Sequence, residues 1–338
     1  MKPKLLVVEL WGLGDLVIAT PFIRAATERY SVTLLAKPVA AELRPRLWPS
    51  VEIMPFTAPW TAFRFGAKYS LWRWPWRDLS DLTRRLRSTA FDCGVSGRWD
   101  PRDHVLLRAT GARERLGFPR LGSQLFLTRA LGRPEPLAHR SEYWRAAASA
   151  LGLVLPPKAT LFASQPVRPP VILIHTGAAL PLRVWPLQNF RDLAIRLRQS
   201  SYAVKIACNP DQLQWWREQG EEVLCPRTIA ELFACLDGSG VFIGNDSGSG
   251  HLAASCGLPT FTLFGPQLPE LFAPMHPAAE VFEGHPCPHK PCSDYCRYET
   301  PICLWPVLVD EVWPRVAAFA ARHLAQSVPA TGAPTKSP

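Results

Sequence analysis

Residues 241–266 read VFIGNDSGSGHLAASCGLPTFTLFGP. A short apolar run ends on Asn-Asp-Ser-Gly. A helical stretch follows, Gly257 stops it, and a second apolar run begins at once. Strand, helix and strand packed this closely make a βαβ unit of a parallel sheet. Asn245, Asp246, Ser247 and Gly248 then fall at the C-terminal edge of that sheet, with the free N–H groups of a helix start beside them. Such an edge binds anions and sugar hydroxyls. His251 lies one turn into the helix, near the same edge. Taken singly, Asp246-Ser247 reads equally well as an ordinary helix cap.

The same rhythm extends outward in both directions. Upstream, VILIHTGA (171–178) is a strand, and Trp185-Pro186 opens the helix PLQNFRDLAIRLRQS. YAVKIAC is a strand, PDQLQWWREQG a helix capped by Asn209, TIAELFACLDGS a further helix, and a last helix lies near 308–325. At the other end KLLVVEL (4–10) is a first strand and SVTLLA (31–36) a second. Thr20-Pro21 reads as N-cap and first helical position for PFIRAATERY between them. The basic helix LSDLTRRLRS and the short strand FDCGVSG come later. Residues 151–170, rich in proline, read as a linker, and the tail 326–338 as disordered.

The expected fold is therefore α/β, with parallel sheets in two domains facing a central cleft. Residues 1–165 form the first domain and 166–325 the second. A chain of 338 residues is long for a single core. Hydrophobic residues at 47% and charged residues at 20% describe a globular protein. No apolar run approaches a membrane span. The opening MKPKLLVVEL is broken by Glu9 and reads as a strand rather than a signal peptide, which places the chain in the cytoplasm.

The net charge of +10 is uneven: residues 1–165 carry 25 Lys and Arg against 13 Asp and Glu, the rest 13 against 15. An anionic partner for the first half follows, with a phosphorylated molecule, a membrane surface or nucleic acid as the choices. No nucleic-acid recognition motif accompanies the charge. Residues 55–80, with their clustered Trp and Arg, fit an acceptor-binding loop that also touches lipid headgroups.

The first strand runs into WGLGD, with Gly12, Gly14 and the acid Asp15 at a helix start. A dinucleotide fingerprint needs a third small residue where Val17 stands and an acid where the second strand ends in Lys37, so it fails twice. There is no Walker A motif, no nucleophile elbow and no Asp-x-Asp pair for a metal–diphosphate. Two roles remain for Asp15: it caps its helix, or it accepts a proton from a bound hydroxyl. Arg183, in IHTGAALPLRVWP, sits where it could neutralise a diphosphate leaving group without a metal.

These segments resemble glycosyltransferase family 9, the ADP-heptose:lipopolysaccharide heptosyltransferases. LLVVELWGLGDLVIATPFIRAA is similar to the family's opening strand, Leu-Gly-Asp turn and helix. HTGAALPLRVWPLQNFRDLAIRL resembles its phosphate-binding segment, and FIGNDSGSGHLAASCGLPTFTLFGP its most specific signature. The resemblance implies a GT-B fold, an inverting transfer and no catalytic metal. It makes Asp15 the general base, and it makes Thr176, Arg183, Asp246, Ser247, Gly248 and His251 the nucleotide-sugar site, with Gly12 and Gly14 on the acceptor side. The donor it implies is an ADP-sugar, and the acceptor a lipopolysaccharide core or another glycan or lipid-linked molecule at the inner face of the membrane. Transfer to a protein side chain, or a nucleotide-sugar binder without catalysis, are the alternatives. Arg183 stands where the family usually has Lys, and Trp11 where a small residue usually precedes Leu-Gly-Asp.

Four of the nine cysteines, Cys287, Cys292, Cys296 and Cys303, cluster near His285 and His289. Their spacing lacks the paired knuckles of a zinc site, which leaves a structural metal or plain reduced thiols.

Overall fold

The strand KLLVVE, Lys4–Glu9 (β1), is buried from its second residue onward, because both faces of a parallel sheet are covered by helices. It is central in the first sheet of the protein. The computed structural model describes residues 1–61, 74–163, 168–292 and 295–324. They divide into two units: Met1–Leu161 with Thr228–Ala230 and Glu270–Met275, and Phe162–Arg227 with Glu231–Pro269 and the residues from His276 on.

In the first unit β1 is followed by Leu13–Arg29 (α1), Ser31–Ala36 (β2), Val39–Leu47 (α2) and Glu52–Pro55 (β3). Then come Trp76–Thr89 (α3), Cys93–Ser96 (β4), Pro101–Ala109 (α4), Glu114–Gly117 (β5), Arg129–Ala130 (β6) and Ser141–Ala150 (α5). All pairings are parallel, in the order β3-β2-β1-β4-β5-β6. Chain order reverses between β1 and β4, so the crevice beyond their C-terminal ends is the ligand position of a doubly wound sheet. The register pairs Val8 with Ser96, which sets Glu9 and the residues after Ser96 side by side at that crevice.

Helix α1 begins eight residues before the expected Pro21. Gly12 is the N-cap, and Asp15, third in the helix, accepts its N–H at 3.0 Å, the side-chain half of a capping box. Gly14 therefore belongs to the first turn of the helix rather than to the preceding loop. Thr20 is no N-cap: it is buried in mid-helix and donates to the carbonyl of Leu16 at 3.1 Å. Proline inside a helix costs about 3 kcal/mol, and here Val17, Ile18, Phe22 and Ile23, all buried, offset it by packing into the core.

The second unit repeats the scheme with another order. Its elements are Val171–His175 (β7), Leu187–Gln199 (α6), Ala203–Ala207 (β8), Leu213–Glu218 (α7), Ile229–Asp237 (α8), Val241–Asn245 (β9) and Gly248–Ser255 (α9). Thr260–Phe264 (β10), Ala279–Glu283 (β11) and Val309–His323 (α11) complete it, while Pro269–Phe272 (α10) groups with the first unit from Glu270 on. The sheet runs β11-β10-β9-β7-β8, so its switch point lies between β7 and β9. Trp185, Phe190, Trp216, Phe261 and Phe319 fill the core beneath it. The helix expected from Asn209 opens instead with a 3-10 turn, Pro210–Gln212, before α7.

The Trp- and Arg-rich stretch is described only at its ends. Trp60, Trp74 and Trp76 stack in series with ring centroids 5.4 and 5.5 Å apart, while residues 62–73 and the tail from 325 lie outside the described residues. Among the described residues no helix is long and apolar enough to cross a membrane.

Candidate functional site

At the β1–β4 crevice of the first unit Asp15 meets Arg98. One guanidinium nitrogen of Arg98 pairs with Asp15 Oδ1 and lies 3.5 Å from Glu9 Oε1. Glu9 also accepts the Trp11 N–H at 3.2 Å, and the Arg98 guanidinium sits 5.1 Å from the centroid of the Trp11 ring. Burial raises the Asp15 pKa, but Arg98, Arg140 and the Gly12 N–H outweigh it and hold the carboxyl below its ordinary range. Glu9, buried at the end of β1, is raised instead, because desolvation outweighs the same arginines. One carboxylate is thus kept ionised and its neighbour pushed toward the acid form. Asp15 thus caps α1 through one oxygen and pairs with Arg98 through the other.

The backbone leading to Arg98 passes beneath Trp144. A Cβ on Gly97 would lie 2.5 Å from the indole, so only glycine allows the approach. Behind Arg98, Asp103 on α4 is buried and accepts from Trp60 Nε1 and Ser96 Oγ, each at 3.1 Å. Burial, helped by Asp100 and Glu9, pushes its pKa up to about 7. Unfolded, the group ionises near ~4, so the folded state holds an extra proton between these values and loses stability as pH rises through them. Asp103→Asn keeps partners for Trp60 and Ser96. It is expected to remove that slope and raise stability at pH 8 by about 2 kcal/mol. Urea melts between pH 5 and 8 measure this, and a variant no more stable than the parent at pH 8 contradicts it.

In the second unit the β7–β9 switch point gathers most of the residues singled out from sequence. Asn245, at the end of β9, is fully buried and ties the two strand ends together, donating to Thr176 O at 2.9 Å and accepting from the Trp185 N–H at 3.0 Å. Asp246 pairs with Arg183 at 3.1 Å, the first 5% and the second 22% exposed at the side chain. Ser247 is the N-cap of α9, and its hydroxyl lies 2.7 Å from that of Ser249. Gly248 is the first and His251 the fourth residue of the helix. His175 reaches Ser249 Oγ through Nδ1 at 3.2 Å, and burial pushes its pKa down to about 4, so its imidazole is neutral at pH 7.

Gln212 and Gly177 carry no role in the sequence analysis, and Asn209 only that of a helix cap, yet all three hold this edge together. Gln212 holds the Thr176 hydroxyl at 2.9 Å, and Asn209 donates to Ala178 O at 3.0 Å. A Cβ on Gly177 would sit 2.0 Å from the Asn209 amide, so the loop after β7 closes only on glycine. In the first unit Glu9, Arg98 and Arg140 were likewise unread. The signal for Arg98 was its place just past strand FDCGVSG, at the crevice edge if β4 pairs with β1.

Cys287, Cys292, Cys296 and Cys303 line one pocket of the second unit together with His289 and Lys290. None of the four cysteines is in a disulfide among the described residues, and burial raises the pKa of Cys303. His285 is engaged with Glu311 at 2.9 Å. Among the described residues no three His, Cys, Asp or Glu are disposed to hold a metal ion.

Two parallel α/β sheets, each with polar residues at its switch point, define the GT-B class of fold. Escherichia coli heptosyltransferase WaaC with ADP superposes with a TM-score of 0.71 at 17% identity, covering 94% of this chain and 99% of that one. The glycosyl transferase family 9 structure from Veillonella parvula gives 0.72 at 18%, covering 95% and 98%. In sequence, lipopolysaccharide heptosyltransferase 1 of Pseudomonas aeruginosa is 28% identical over 146 residues, a stretch spanning 40% of each protein. Lipopolysaccharide heptosyltransferase 2 of Escherichia coli is 27% identical over 128 residues, 33% of this chain and 36% of that protein. The family model of glycosyltransferase family 9 (heptosyltransferase) matches residues 79–302, and the chain belongs to that family.

Proposed function

We propose that the protein transfers a heptose from ADP-heptose, with inversion, to a hydroxyl of a lipopolysaccharide-core or other lipid-linked glycan acceptor at the cytoplasmic face of a membrane. The observations that carry this reading are, each within its own unit, an ionised carboxylate held at the β1–β4 switch point and a cation beside a helix start at the β7–β9 switch point. Asp15 accepts the proton of the attacking hydroxyl. Two of its lone pairs are used by Arg98 and the Gly12 N–H, which fixes the carboxylate and leaves others for substrate. The hydroxyl oxygen attacks the anomeric carbon on the face opposite the diphosphate. Arg183 and the N–H groups at the start of α9 stabilise the departing diphosphate, a role that needs no metal. Asp246 holds Arg183 in place until the phosphates compete for it. WaaC, bound to ADP in its structure, supports adenine as the base. The basic balance of the first half supports an anionic acceptor and a membrane surface.

Calorimetric titration with ADP, UDP, GDP and dTDP tests the donor. ADP is expected to bind at least tenfold tighter than the others, a difference of about 1.4 kcal/mol. Preference for another base removes ADP-heptose from the reading, and binding of none removes the donor site.

A further inference from the structure

Cys208 follows the last residue of β8 and is fully buried, and Cys225 packs half-buried against the same core. Ala207 and Leu224 form an isolated parallel bridge. The Leu224 N–H donates to Ile206 O at 2.8 Å, and the Cys208 N–H donates to Leu224 O at 2.9 Å. One residue beyond that bridge the two cysteines are partners on the same face of the ladder. Such partners stand about 5 Å apart at Cα, inside the ~4.4–6.8 Å over which a disulfide closes without backbone movement. The two thiols already share a hydrogen bond. Residues 209–224 between them carry Asn209 and Gln212, which brace the loop after β7 at Ala178 O and at the Thr176 hydroxyl. They also carry Trp216, buried in the core.

We propose that Cys208 and Cys225 are a redox-modified pair: a low-molecular-weight disulfide converts them to an intramolecular disulfide that latches residues 209–224 onto the end of β8. The Cys225 thiolate attacks one sulfur of the reagent and releases the other half as a thiolate. Cys208 Sγ then attacks Cys225 Sγ, its proton passing to the second departing thiolate. Two protein thiols are oxidised, one S–S bond forms as one breaks, and the reagent is reduced to two thiols. Burial and the Cys225 thiol push the Cys208 pKa up to about 12, so Cys208 resolves the mixed disulfide rather than starting the exchange. In a compartment reduced by glutathione, such a link is transient and redox-sensing rather than structural. The modification goes beyond the transfer reaction and stands without it, since no substrate of that reaction takes part.

Oxidised glutathione added to the full-length protein is the probe, followed by alkylation and peptide mapping. The link between Cys208 and Cys225 is expected to form before any other among the nine cysteines and to return to thiols with dithiothreitol. Links confined to Cys287, Cys292, Cys296 and Cys303, a stable glutathione adduct on Cys225 of the parent, or no reaction at either residue overturns the proposal. Cys208→Ser is expected to trap that adduct on Cys225. Should this buried variant fail to fold, Cys225→Ser takes its place, and Cys208 is then expected to stay unmodified under the same treatment. A Cys208 that still reacts in that variant overturns the order of attack. Hydrogen exchange reads the latch: amides of residues 210–224 are expected to exchange at least about tenfold more slowly in the oxidised parent, and at an unchanged rate in treated Cys225→Ser. Equal exchange in the oxidised and reduced parent shows that the bond latches nothing.

Discussion

Asp15→Asn is expected to lower the transfer rate about 10³-fold, within the range of a lost general base, with the dissociation constant for ADP unchanged. Asn is nearly isosteric and can still accept the Gly12 N–H, so α1 keeps its cap. What it cannot do is take up the proton of the attacking hydroxyl. Initial-rate measurements with calorimetry on the same preparation separate the two effects. A variant that keeps more than about a tenth of its kcat shows that Asp15 is not the base. Because Arg98 and Arg140 hold the Asp15 carboxyl below its ordinary range, kcat/KM of the parent should stay flat from neutral pH down past the usual carboxylate range. Arg98→Gln removes the cation nearest Asp15 and should move the acid limb to higher pH.

Arg183→Ala is expected to lower kcat/KM by about 10²- to 10³-fold, with part of the loss in donor affinity. The guanidinium is 22% exposed and already directed by Asp246, so its charge is in place before the diphosphate arrives. Asp246, 5% exposed, loses its nearest cation in the variant, and some loss of stability should accompany the kinetic effect. Arg183→Lys restores the charge but not the fork and should recover most of the rate. If alanine and lysine prove equally damaging, the role of Arg183 is geometric rather than electrostatic. If alanine is harmless, the leaving-group charge is met elsewhere.

The parts of the site that could be read in advance share one property: they are local. Asp15 follows its strand within a few residues, and Asp246, Ser247, Gly248 and His251 lie on one strand-loop-helix run. Arg183 precedes a helix whose Trp-Pro opening is visible in the letters alone. Local reading failed where two signals competed. Thr20-Pro21 looks like a helix start, yet the capping bond between Gly12 and Asp15 and the burial of Leu16 to Phe22 begin the helix earlier.

The sequence by itself determined the class: alternating apolar runs and amphipathic stretches demand parallel sheets covered by helices, and Gly- and Asp-bearing turns mark the strand ends. It also carried the family, through the run from Phe242 to Pro266. Only the tertiary structure decided which strand ends are neighbours. Strand order brings residue 98 to residue 15 and residue 212 to residue 176, across stretches of chain that no periodicity links. It also decided that Arg140 is buried between the rings of Trp99 and Tyr143, which no spacing of residues encodes. The physical reason is that a pattern of hydrophobicity specifies which face of an element is buried, whereas the partners met at a crevice depend on how whole strands pair.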